Sequence, residues 1–160
     1  MLSFTYTMHF SEITLKYWQE KDWEDLANAK SVPDLFIIAE RIIDRIPLPM
    51  GQVCGPITSG GFNSVEKNLE FFNENIKNLQ SQNINIFDQM PFEETIQKFK
   101  QETHDQEKVY QSIMYDFYLP IFKSGKIKTF YFLPNWQTSK GAIWEHETGE
   151  DLGIEIKYID

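Results

Sequence analysis

Two carboxylates and one glycine-rich turn are the parts of this 160-residue chain whose types and spacing suit chemistry. Glu145 follows the run Pro134 to Lys140 and falls in the first two turns of a helix that Ser139 is placed to cap. A positive helix end and nearby Lys140 favour the ionised form of such a carboxyl, which is the form that attacks an anomeric carbon. Against this, Glu147, Glu150 and Asp151 crowd the same helix, and their like charge raises proton affinity. A glutamate on a solvated helix face is the ordinary alternative. Asp116 lies in the helix after Tyr110, four residues before Pro120. The missing proline N–H leaves the Asp116 carbonyl without its intrahelical donor, so the helix is expected to kink or end there. An acid beside a broken helix near a sheet's rim is open to a ligand; an exposed Asp at a helix boundary is the plainer reading. The loop Gly55, Pro56, Ile57, Thr58, Ser59, Gly60, Gly61 follows a short apolar strand and opens a long helix. Its glycines free backbone N–H groups to point at an anion, with the helix dipole behind them, or they make a tight turn that merely aims the helix. It has neither the lysine of a Walker A loop nor the spacing of a dinucleotide fingerprint.

The remaining reactive side chains carry less. His9, His104 and His146 show no ligand spacing, so no metal is expected, and nothing implies a cofactor. The single cysteine, Cys54, has no intrachain disulfide partner and suits a small core position at a strand end. Trp136 on its loop either stacks on a flat base or packs. The net charge of -9 argues against nucleic acid, whose binders draw affinity from Lys and Arg. No apolar run approaches the ~20 residues of a membrane helix. With no signal-peptide pattern at the N-terminus, a cytoplasmic location is the expectation.

The elements that must position these groups fall into two unequal parts. Residues 1–49 form a helical extension expected to pack on the rest. Ser31 and Asp34 form a capping box with Pro33 in the first turn, Leu35, Ile38, Ala39, Ile42 and Ile46 form one stripe, and Pro47 and Pro49 stop the helix. Residues 50–160 alternate strand and helix. Strands are expected at Gln52–Cys54, Ile84–Phe87, Lys128–Leu133 and Ile154–Tyr158. Helices are expected after an Asn63 N-cap answered by Glu66, then at Phe92–Lys100, Gln106 to about Tyr118, and Ala142–Asp151. Strands separated by such helices make a parallel sheet covered on both faces, an α/β class of three-layer Rossmann-like or flavodoxin-like form. Phe130 to Leu133 read as a central strand, and Ile154 to Lys157 alternate as an edge does. Ligands of such sheets bind beyond the carboxyl ends of the strands where the order reverses, which selects the loops after Cys54 and after Leu133.

Two segments resemble the nucleoside 2-deoxyribosyltransferase-like superfamily. The first is Val53, Cys54, Gly55, Pro56, Ile57, Thr58. The second starts at Asp116 and runs through Phe132, Leu133, Pro134, Asn135, Trp136, Gln137, Thr138, Ser139, Lys140, Gly141, Ala142 to Glu145, then Leu152, Gly153, Ile154. The resemblance covers about Met50 to Tyr158 and implies cleavage or transfer at the N-glycosidic bond of a nucleoside or nucleoside monophosphate. It implies Glu145 as the attacking carboxylate and Asp116 as the acid near base or sugar. Gly55, Pro56, Ile57, Thr58, Ser59 and Gly60, with Trp136, Ser139 and Gly141, are the implied substrate-binding positions. It also implies a homo-oligomer. A nucleotide-binding or sensing module without turnover, using the same pocket, is the competing expectation.

Overall fold

The computed structural model describes residues 9–160, so the first eight positions of the helical extension lie outside the described residues. Strands β1 (Met50–Cys54), β2 (Asn85–Ile86), β3 (Ile127–Phe132) and β4 (Glu155–Tyr158) form one parallel sheet in the order β2-β1-β3-β4. Parallel neighbours need long crossovers. These are supplied by α4 (Val65–Ser81) between β1 and β2, by α5 (Met90–Glu102), α6 (Gln106–Ser112) and α7 (Leu119–Lys123) between β2 and β3, and by α8 (Lys140–Leu152) between β3 and β4. The result is a three-layer Rossmann-like α/β fold.

Side chains alternate along β1 and feed two cores. Val53 joins Leu69, Phe72 and Ile76 of α4 on one face; Met50 and Cys54 join Phe92 and Ile96 of α5, Phe117, Phe122 and the β3 residues Phe130 and Phe132 on the other. Phe72, Phe87, Phe92, Phe117, Phe130 and Phe132 are fully buried. Each such ring is worth about 1.5–3 kcal/mol of burial, so aromatic packing fixes the spacing of the layers. On α8, Gly149 lies where a Cβ would stand 2.8 Å from a Phe130 ring carbon. The absent side chain lets the helix carrying Glu145 sit down on the central strand.

The N-terminal part is tied into this body. Helices α1 (Glu12–Lys16), α2 (Glu20–Ala27) and α3 (Val32–Arg45) precede β1, and α3 places Leu35, Ile38, Ala39, Ile42 and Ile43 in the same core as Phe130. Ser31 and Asp34 form the capping box around its start, with Pro33 in the first turn. Buried Asp22 of α2 accepts from Arg41 Nε at 2.9 Å and Arg45 Nη1 at 2.5 Å, which locks α2 to α3. Phe10 packs on the α4-side core and Trp18 on the opposite one, so the segment passes around the β2 edge. There Thr14 Oγ1 donates to Asp88 at 2.9 Å and accepts from Gln80 Nε2 at 3.0 Å.

Two local expectations change. The N-cap of α4 is Ser64, whose Oγ accepts from Lys67 N at 3.2 Å, because Asn63 turns the chain in the left-handed region at φ 56° and shifts the start by one residue. The helix also does not break at Asp116. It widens into a π-helical turn, Ile113–Tyr118, and continues as α7 with Pro120 in the first turn. The wider turn accommodates a missing N–H that an α-helix would register as a kink.

Candidate functional site

From β1 the chain steps outward to β2, then returns across β1 to β3, so the winding reverses between β1 and β3. The site lies beyond the carboxyl ends of these two strands. Leu133 N donates to Cys54 O at 2.9 Å, extending the ladder one residue past the strands before the chains part. The two loops then meet again. Gly61 N donates to Thr138 Oγ1 at 2.7 Å, and Gly60, at φ +72°, lies so close to the Thr138 carbonyl that no Cβ fits between them. Asn68 of α4 holds the first loop from below, donating to Ile57 O at 3.0 Å and Gly60 O at 3.1 Å while accepting from Phe62 N at 2.9 Å.

Between these loops, α5, α6, the π-helical turn and the start of α8 lies a cavity of ≈ 320 Å³. Glu145 lines it, half-buried on the first turns of α8, with Ser139 capping that helix through Ala142 N at 3.2 Å. Gly55, Ile57, Thr58 and Ser59 line it from the first loop, and Ser139 and Gly141 from the second. Three other expected positions stay out of the cavity wall. Pro56 is buried behind the loop, and Gly60 serves the contact with Thr138. Trp136 stacks on His146 with centroids 4.3 Å apart and planes 7° apart, and His146 Nε2 lies 2.7 Å from Tyr158 Oη. Its ring face is therefore spent on protein.

Asp116 is not brought to the cavity either. It is exposed and accepts a 2.8 Å hydrogen bond from Ser112 Oγ. The π-helical turn points Ile113, Met114 and Tyr118 inward, and its register leaves Asp116 on the outer side. The second cavity carboxyl comes instead from Glu93 of α5, 3% exposed, which accepts from Tyr118 and from Gln97 Nε2 at 3.4 Å. Gln89, Glu93, Gln97 and Lys100 recur at helical spacing, a pattern that does not by itself say whether the stripe meets water or protein. In the fold this stripe faces inward, with Gln89, Glu93 and Lys100 on the cavity wall.

The electrostatics follow from burial. Desolvation pushes the Glu145 carboxyl up to about 8, with the Cys54 thiol's hydrogen bond opposing the shift and Glu93's charge adding to it. The early-helix position therefore does not outweigh desolvation. Burial likewise raises Glu93, against the pull of Lys100, Gln97 and Tyr118. The Cys54 thiol is pushed well up by burial and by Glu145, which makes it a hydrogen-bond donor to that carboxyl and a poor nucleophile. Tyr118 is raised well above the ordinary phenol by burial and by Glu93, so it too stays a donor. Burial lowers Lys100, while Glu93 works to keep it charged. Among the described residues no group of three or more His, Cys, Asp and Glu could hold a metal ion, and no helix is long and apolar enough to cross a membrane.

Such an arrangement can hold a polar ligand of modest size against two carboxyls whose proton affinity is raised by burial. Compared with protein-family models, curated proteins and solved structures, the chain matches none of them.

Proposed function

We propose that the protein cleaves, or transfers the sugar of, an N-glycosidic bond in a nucleoside or nucleoside monophosphate. The observation that carries this reading is that Glu145 and the Gly55–Ser59 turn line one cavity at the winding reversal, with Glu93 as a second carboxyl in the same wall. In the reaction the C1′–N bond breaks and its electron pair leaves with the base. In the reactive state the proton shared by the two carboxyls sits on Glu93, which gives it to the departing nitrogen, while ionised Glu145 meets the cationic C1′, forming a glycosyl ester or steadying direct attack by water. In the ester route, water completes a hydrolase cycle and a second base a transferase cycle. Cys54, which donates to Glu145, and Tyr118, which donates to Glu93, are positioning residues that fix the two carboxyls in place.

The positive charge that builds on the sugar favours the ionised form of Glu145, offsetting the desolvation that protonates it in the empty cavity. That same proton affinity supports the second reading, a nucleotide-binding module without turnover, because a carboxyl titrating at about 8 is mostly neutral at pH 7. The deciding experiment incubates the full chain with a panel of nucleosides and monophosphates and measures free base by chromatography. Base release that Glu145→Ala abolishes supports catalysis. Tight ligand binding by calorimetry with no base released from any substrate supports the binding module.

A further inference from the structure

We propose that β4 is a self-pairing edge, through which two copies of this chain join their sheets antiparallel about a two-fold axis at Ile156. The pairing holds whether or not the cavity takes a nucleoside. β4 ends the order β2-β1-β3-β4, so one side of it is open among the described residues. The bond from Ile159 N to Phe132 O turns the odd-numbered residues of the strand toward β3. Backbone groups of successive residues point to opposite sides of a strand, so the N–H and C=O of Ile156 and Tyr158 face outward. No other strand of the described residues pairs with them. Such a row is a template for a second strand, and a closed dimer of identical chains requires this strand to pair with itself.

The order of side chains fits that requirement. An axis at Ile156 sets Ile156 opposite its own copy, Glu155 opposite the partner's Lys157, and Ile154 opposite the partner's Tyr158. Every pair then matches in kind: aliphatic with aliphatic, acid with base, aliphatic with aromatic. An axis moved one residue either way sets Glu155 against the partner's Glu155, or Lys157 against the partner's Lys157. The backbone agrees with the same register. Ile156 carries outward groups, so the central pair exchanges both hydrogen bonds, and Tyr158 N reaches the partner's Ile154 carbonyl at each end. Ile154 N already donates to Gly149 O at 2.9 Å. Glu155 and Lys157 fall at the non-hydrogen-bonded positions, where facing side chains come closest. They are 54% and 57% exposed and lie 3.8 Å apart along the strand. Thr129 Oγ1, at 3.0 Å, and Lys157 both address Oε1 of Glu155, which leaves Oε2 to the partner's lysine. Charge guards an edge when a second strand would bring like signs together; for a second copy in this register the signs cancel. The net charge of -9 repels a second copy, but Glu155 and Lys157 leave β4 itself neutral.

Sedimentation of the full chain from about 5 to 500 µM in about 0.15 M salt is expected to show a dimer growing with concentration, as suits a short interface. Glu155→Lys and Lys157→Glu each set like charges opposite one another and should weaken it about 10- to 100-fold. Mixed in equal amounts, the two variants face lysine with glutamate at every charged pair and should associate as the wild type does. The double variant E155K/K157E, which keeps the wild-type net charge, should do so alone. Thermal melting checks that each variant is folded; both positions are exposed. A further readout needs no substitution: amide exchange at Ile156 and Tyr158 should slow about tenfold from the lowest to the highest concentration, while Lys157, turned toward β3, stays unchanged. A wild type that stays monomeric throughout, single variants that dimerise as well as the wild type, folded variants that fail to associate when mixed, or exchange at Ile156 and Tyr158 that ignores concentration would each overturn the pairing.

Discussion

Replacing Glu145 by Gln should reverse part of the protein's pH response. The carboxyl is moved by burial from its ordinary value of 4.5 to about 8 in the folded chain. In the unfolded chain it ionises near its ordinary value. Between those two pH values the folded state holds the extra proton, so stability falls as pH rises. The decline starts near the unfolded value, continues to the folded one and then levels off. At ~1.4 kcal/mol per pH unit the ceiling is about 5 kcal/mol, reduced because the residue is only half-buried. Glutamine keeps the shape and removes the titration. Urea unfolding of wild type and Glu145→Gln across pH 4 to 9 should therefore show the wild type losing about 2–5 kcal/mol relative to the variant over this window. A difference that is flat, or that grows in the wild type's favour with pH, would refute the placement of Glu145 in a desolvated wall. The same titration sets the rate. On a substrate whose leaving group needs no proton only ionised Glu145 is required, so kcat/KM there rises about tenfold per pH unit below about 8 and levels above it. A rate that falls over this interval would make Glu145 the acid instead.

Other substitutions separate the parts of the site. Glu93→Gln should lower base release by about 10²- to 10⁴-fold, and by much less on substrates whose leaving group needs no proton, measured by initial rates on both kinds. Asp116→Ala should leave kcat/KM within about threefold of wild type, because a surface substitution away from the cavity acts only weakly. Gly149→Ala should cost about 1–3 kcal/mol in denaturant unfolding despite alanine's better helix propensity, since its methyl meets the Phe130 ring.

The alternation of strand and helix, the parallel sheet, the capping box at Ser31 and the Ser139 cap were legible because local pattern and tertiary need agree there. The two strand-end loops were legible too, since the winding rule depends on strand order alone. What local pattern could not convey was direction. A polar stripe at Gln89, Glu93, Gln97 and Lys100 has the same spacing whether it meets water or a cavity, and only the packing of α5 against β1 turns it inward. Asp116 misled for a related reason. The proline four residues on was absorbed by a π-helical turn, whose altered period presents Ile113, Met114 and Tyr118 to the cavity and Asp116 to solvent. Trp136 looked available because it sits in a loop, yet His146, ten residues later and on the helix that follows, covers its face.

The most direct test is a crystal of Glu145→Gln grown with a nucleoside 5′-monophosphate. The account predicts a sugar in the cavity with its anomeric carbon about 3–3.5 Å from the side chain at position 145, the separation of reacting atoms before attack. A ligand bound with that carbon turned away from position 145, or bound elsewhere on the protein, would contradict it.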